Sequence, residues 1–169
     1  MGNKDASSNF PTQIKIKLEL WDKEWIPTPE EIDSLKELYK RLTGKEDVPV
    51  DFNQRFFTTI RGERTTLVMA RDMEKDIVVG MGMIHSWTTL SSGVRGFIDD
   101  VVVLPEYRGR SIGENIVKTL LTITERDNIS RVRLTSNPHN IQRRTAIRLY
   151  KKLGFKKINT NLFEYVPKK

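Results

Sequence analysis

The run Val101-Val102-Val103-Leu104-Pro105-Glu106-Tyr107-Arg108-Gly109-Arg110-Ser111-Ile112-Gly113 constrains the fold of this chain more than any other stretch. Consecutive valines suit a strand buried on both faces, and Pro105 cannot continue its ladder. From Gly113 to about Arg126, Ile116, Val117, Leu120, Leu121 and Thr124 recur at helical spacing. A buried strand therefore crosses a basic, glycine-containing turn into an amphipathic helix, which commits the chain to a layered α/β architecture. The turn is also an anion site on physical grounds, because unpaired N–H groups and the positive end of the helix dipole converge there. Gly109 and Gly113 let the backbone approach a bulky ligand closely. Arg108 and Arg110 add charge at the mouth, and guanidinium suits phosphate oxygens. The spacing matches neither G-x-x-x-x-G-K-[ST] nor G-x-G-x-x-G, so spacing alone leaves open a plain turn with solvated arginines.

The remaining periodicities supply the other layers. Residues 1–13 are polar and aperiodic and read as a flexible leader to one domain over 14–169. Ile14, Ile16, Leu18 and Leu20 alternate with Lys15, Lys17 and Glu19, the period of a half-buried strand. Thr28-Pro29-Glu30-Glu31 opens a helix with a capping box and proline at its first position. Its apolar face is Ile32, Leu35, Tyr39 and Leu42, and Gly44 ends it. A shorter helix carries Phe52, Phe56 and Ile60. Strands follow at 65–70, 77–87 and 97–104, with a polar turn at 72–75. Beyond the 113–126 helix come a strand at 132–134, a helix at 141–152 closed by Gly154, and a strand pair at 155–159 and 162–166. The order β-α-α-β-β-β-α-β-α-β-β predicts a mixed sheet of about seven strands flanked by about four helices. No internal repeat or linker interrupts it.

Composition narrows the function. With 169 residues, 37% hydrophobic and 30% charged, the chain is sized and composed as one globular domain. No apolar run approaches the ~20 residues of a membrane span, and the N-terminus lacks a signal peptide's apolar core. Met1-Gly2 opens a myristoylation motif that Ala6 does not complete. The chain has no cysteine, which removes disulfides and thiol nucleophiles and fits a cytoplasmic setting. Its net charge of +7 reads either as a solvated basic surface or as attraction for an anionic partner. The basic residues are scattered, without interleaved aromatics or a reading helix, so nucleic acid is not the expected partner.

Arg108-Gly109-Arg110-Ser111-Ile112-Gly113, after a valine-rich strand end, resembles the coenzyme signature of the GNAT superfamily of N-acetyltransferases, Arg/Gln-x-x-Gly-x-Gly/Ala. Ser111 replaces the first glycine of that pattern. Ala146-Ile147-Arg148-Leu149-Tyr150-Lys151-Lys152-Leu153-Gly154-Phe155 is similar to the family's second signature. Together they span 97–155 in the family's order. The resemblance implies a GNAT-type fold with acetyl-CoA as acyl-donor cosubstrate and no metal. It implies the pyrophosphate on the Arg108–Gly113 turn and the pantetheine arm along Val101, Val102 and Val103, where a bulge splays the strands. A strand N–H would then polarise the thioester carbonyl.

The same resemblance assigns Tyr150 as the acid that protonates the leaving thiolate, although Ala146, Leu149, Tyr150 and Leu153 also form one packing face. Asp99 and Asp100 interrupt an apolar strand and are candidates to bind the amine or accept its proton. A pair capping the sheet or salt-bridged to Arg95 or Arg131 is the plainer reading. His85 is a weaker candidate base. Arg143 stands where family members often carry Asn, with Asn140 a turn earlier and Asn137 in the preceding loop; all three are candidate coenzyme contacts, and Arg143 is equally open to an acidic substrate or to solvent. The expected acceptor is a small primary amine or amino acid. Trp21, Trp25, Phe52, Phe56 and Phe57 are available to close a pocket around it, or to form core. Protein-lysine or N-terminal acetylation, a non-catalytic coenzyme-binding module and a DNA-binding regulator are the alternatives. A homodimer is the default symmetric assembly.

Overall fold

In the computed structural model the described residues are all but 1–13, 22–24, 138, 140–142, 162 and 168–169, so the expected leader lies outside them. The chain divides into two compact units, Met1–Leu134 and Thr135–Lys169. The first contains β1 (Ile16–Leu20), α1 (Pro29–Thr43), α2 (Phe52–Ile60), β2 (Thr65–Asp72), β3 (Ile77–Thr89) and β4 (Gly93–Val103). A single 3-10 turn, Pro105–Tyr107, then leads into α3 (Ile112–Arg126) and β5 (Arg131–Arg133). The second unit contains α4 (Arg144–Lys152).

The helix signals work locally as their chemistry demands. Thr28 caps α1 through its hydroxyl, the Glu31 carboxylate returns the bond to the Thr28 N–H at 2.8 Å, and Gly44 closes the helix at φ 72°. The buried line of α1 is Glu31, Leu35 and Leu38 rather than the expected Ile32, Tyr39 and Leu42, which are half-buried. The cause is polar: Glu31 turns inward to pair with Arg71. In α2, Phe52, Phe56 and Ile60 face the core as their spacing predicts.

Among the described residues the sheet has five strands in the order β1-β2-β3-β4-β5. All neighbours are antiparallel except β4 and β5, which run parallel. Adjacent strand residues point to opposite faces, and Arg71 and Asp72 show which helix covers which face. Arg71 reaches Glu31 of α1, while Asp72 accepts a hydrogen bond from the Tyr107 hydroxyl at 2.7 Å, beside the start of α3. A Cβ on Gly80 or Gly82 would meet Ile116 of α3, so α3 lies against the Asp72 face. Helices α1 and α3 thus cover opposite faces of the sheet.

The seven-strand expectation is corrected to five. Residues 155–161 and 163–167 carry no strand, and Leu162 lies outside the described residues. The alternation Phe163-Glu164-Tyr165 is a strand pattern, but a strand is made by pairing, and no described residue forms a ladder with this stretch. Its apolar side chains, Phe163, Tyr165 and Val166, are 72–88% exposed.

Candidate functional site

The register of β3 on β4 breaks within the first unit. Met81 faces Val102 and Met83 faces Asp99, so Gly82 alone stands against both Asp100 and Val101. This is a β-bulge, and Asp100 takes the left-handed conformation, φ 51°, that L-residues other than Asn and Asp rarely adopt. On the far edge, β4 pairs with β5 only through Arg95, Gly96 and Phe97. Past Phe97 the β5 ladder has ended. Leu104 donates its N–H to Val79 at 2.9 Å, on the β3 side. Backbone groups alternate between edges along a strand, so the Val101 and Val103 amides face the edge that β5 has left.

The strand then enters the turn. Pro105–Tyr107 form the 3-10 turn, Arg108 is extended, and Gly109 and Ser111 are left-handed at φ 77° and 59°. Nothing lies within 4 Å of a Cβ built on Gly109, so its backbone angle, not crowding, calls for glycine there. Ser111 precedes α3 without a side-chain cap, and the first helical bond is from the Asn115 N–H to the Ser111 carbonyl. The helix's opening amides therefore have no partner from the Ser111 side chain. Arg108, Gly109, Arg110 and Ser111 are exposed, while Ile112 is buried and anchors α3. Arg108 is not simply solvated: its Nε donates to the Val103 carbonyl at 3.1 Å, which ties the turn to the strand end.

Beneath the turn lies a polar network that sequence reasoning missed. Asp72 is 1% exposed. Burial alone would raise its carboxyl pKa, but hydrogen bonds from Tyr107 and from the Glu74 and Lys75 amides outweigh that and hold it below the ordinary value. The Tyr107 phenol is pushed up, first by burial and then by that same carboxylate. Lys75 sits 5.6 Å from the Tyr107 ring centroid. On the opposite face, Arg71 binds Glu19, Glu31 and Asp76, and these partners hold its guanidinium charged against burial. Each of these residues looks like surface in a linear reading; only register brings them together.

The candidate bases are placed as follows. Asp99 is exposed and accepts the Asp100 N–H at 3.0 Å, and among the described residues no ion pair joins it to Arg95 or Arg131. Asp100 forms the apex of the bulge. His85, on β3 opposite Phe97, bonds Thr65 through Nδ1 at 3.0 Å. The aromatic candidates converge in the first unit: Trp21 lies 4.7 Å from Trp25 and 6.4 Å from Phe56, which contacts Phe52 and Phe57. Phe52 and Phe56 are core, while the Trp21 Nε1 is buried without a partner among the described residues.

In the second unit, Tyr150 is buried on α4, with its ring edge-on to Phe155 at 5.8 Å. Arg143 stands at the start of α4. Asn137 is exposed and accepts the His139 N–H at 2.9 Å. Asn140 lies outside the described residues.

Sequence reasoning also missed a group of arginines at the far end of β4. In the parallel ladder Arg95 faces Arg131 directly, and Arg133 faces Phe97 on the same side of the sheet. Desolvation first, then repulsion from Arg131 and Arg133, lowers the Arg95 pKa. The alternation Arg131-Val132-Arg133 was a visible signal, but its partner strand was not.

Several known proteins resemble this chain in sequence or in fold. Mouse thialysine N-epsilon-acetyltransferase is 30% identical over 83 residues, covering 49% of this chain and 47% of that protein. The bovine counterpart is 34% identical over 77 residues, covering 46% and 44%. The chain thus spans about half the length of the curated relatives it matches. A Trypanosoma brucei acetyltransferase structure superimposes with a TM-score of 0.71 at 20% identity, covering 90% of this chain and all of that one. A Clostridium acetobutylicum predicted acetyltransferase, solved with acetyl-CoA, gives 0.67 at 16%, covering 89% and 96%. The profile of the Acetyltransferase (GNAT) family matches residues 26–155, from just before α1 through β2 to β5, the bulge, the turn and α4, and the chain belongs to that family.

Proposed function

We propose that this protein transfers an acetyl group from acetyl-CoA to a primary amine of a small molecule, by direct attack. The observation that carries the reading is the sequence of backbone states along β4: a left-handed bulge at Asp100, outward amides at Val101 and Val103, then left-handed Gly109 and Ser111 before α3. Such an edge accepts an extended amide-bearing arm as a further strand would be accepted, and such a turn accepts a pyrophosphate. Arg108, held by Val103, and Arg110 add charge beside it.

In this reading Val101 or Val103 donates its amide to the thioester oxygen as the tetrahedral intermediate forms. Asp99, exposed at the bulge, draws the acceptor's ammonium and takes its proton through water. The amine then attacks the carbonyl carbon, the C–S bond breaks, and the thiolate takes a proton. The general-acid role of Tyr150 rests on the motif in which it stands. The names of the thialysine acetyltransferases support an amine acceptor.

The test is thermal. Acetyl-CoA at ~100-fold its dissociation constant stabilises the fold by about 2.7 kcal/mol, while adenosine leaves it almost unchanged. An unchanged melting curve at millimolar acetyl-CoA removes the proposal. Free coenzyme A released in a screen of amines then identifies the acceptor.

A further inference from the structure

Arg95, Arg131 and Arg133 form a cationic cluster that the fold has no structural reason to build. Arg95 and Arg131 stand directly opposite each other across β4 and β5, with Arg133 opposite Phe97 on the same face. Like charges in directly paired strand positions destabilise a sheet. Proteins usually relieve such repulsion with an interleaved carboxylate. Here no described carboxylate lies within ion-pair distance of any of the three. Asp99, four residues further along that face of β4, accepts a backbone amide instead. Desolvation and this mutual repulsion lower the Arg95 pKa, so the cluster sits where an anion would relieve it. Trp87, opposite Arg95 on β3 and 44% exposed, adds an apolar wall beside the charges.

Its place along β4 says what it would serve. Arg95 precedes Asp99 by four residues, ~13 Å along a strand, and the turn lies at the other end, past Val103. The cluster is therefore remote from any pyrophosphate on Arg108–Gly113 and lies beyond the bulge, on the same face as Asp99. Resting on the acetyl-transfer reading above, we propose that the acceptor is a small amine carrying an anionic group, carboxylate or phosphate, which Arg95, Arg131 and Arg133 bind while Asp99 receives the amine. A zwitterionic acceptor meets opposite charges at the two ends of one strand segment, which fixes its orientation toward the thioester. Guanidinium forks match both anions bidentately, so the shared chemistry is a planar or tetrahedral oxyanion.

The experiment compares three sets of acceptors in increasing methylene length: ω-amino carboxylates, their carboxamides, and aminoalkyl phosphates. Acetyl transfer is followed as coenzyme A release by the wild type and by the Arg95→Gln, Arg131→Gln and Arg133→Gln variants. The expected result is at least ~10-fold higher kcat/KM for the best anionic acceptor than for its neutral counterpart, equivalent to 1.4 kcal/mol. That preference falls several-fold in each variant and shrinks with salt, while kcat on the carboxamides is kept. The better of carboxylate and phosphate identifies the anion. The variants keep or raise the melting temperature, because each removes a repulsion, so a loss of preference cannot be charged to misfolding. Equal rates on anionic and neutral acceptors, or a preference untouched by all three variants, overturn the inference and leave acetyl transfer standing. Tight, salt-sensitive binding of duplex or single-stranded oligonucleotides by the wild type but not the variants also overturns it. Failure of acetyl-CoA to shift the melting curve overturns the underlying reading instead.

Discussion

Ser111 and Tyr150, one from each of the two signatures, show how differently such residues are determined. Ser111 stands where the family pattern carries glycine, and it adopts φ 59° all the same. A left-handed L-residue costs roughly 1–2 kcal/mol, a cost that persists here because the turn and α3 leave no other path. Tyr150 carries two roles that one variant separates. Tyr150→Phe keeps the ring and its contact with Phe155 at 5.8 Å and removes only the hydroxyl. If that hydroxyl protonates the thiolate, kcat falls ~10²-fold or more while the KM for acetyl-CoA barely moves. Near-normal turnover with ~1 kcal/mol of lost stability would reduce Tyr150 to a packing residue. Rate and melting temperature, measured on the same preparation, decide between them.

At the scale of elements, the contact between β3 and α3 sets how close the bulge sits to the helix. Gly82 stands alone against Asp100 and Val101, and a Cβ there would fall 2.7 Å from the Ile116 Cγ2 and 3.3 Å from the Leu120 Cδ1. Ile116 and Leu120 are fully buried, so neither has room to withdraw. Gly82→Ala is expected to cost ~1–3 kcal/mol by overpacking. It should also weaken acetyl-CoA binding, because a displaced α3 carries the turn with it. A calorimetric titration alongside a denaturant curve checks both; an unchanged denaturation midpoint with unchanged affinity would show that the contact relaxes without displacing α3. The arginine cluster obeys the same logic. Arg95 comes from β4 and Arg131 and Arg133 from β5, and no linear spacing relates them.

For the whole molecule, the Asp72–Tyr107 bond joins the β2 end to the turn ahead of α3, across a long sequence separation. The folded Asp72 carboxyl lies below its ordinary value of 3.8. A depressed carboxyl contributes stability that is present above the unfolded value and is lost as pH falls through the folded one. Acid therefore loosens this junction below about pH 4, and the turn with it. Tyr107→Phe removes one donor and should cost ~1–3 kcal/mol at neutral pH. The gap between variant and wild type should close in strong acid, where Asp72 is protonated in both. Parallel melting curves across pH test this, and a gap that stays constant would assign the loss to packing.

What the sequence determined by itself was everything local. The capping box at Thr28, the stop at Gly44, the core line of α2, the break at Pro105 and the start of α3 all rest on residues within a turn or two of one another. The turn at 108–111 was legible for the same reason. Tertiary structure decided what depends on pairing: the bulge that places Asp100 left-handed, the burial of Glu31 and Asp72, the three arginines gathered on one face, and, among the described residues, the absence of a ladder along 155–161 and 163–167. Period-two alternation specifies which side chains share a face, but a ladder exists only when a second strand supplies the missing hydrogen bonds.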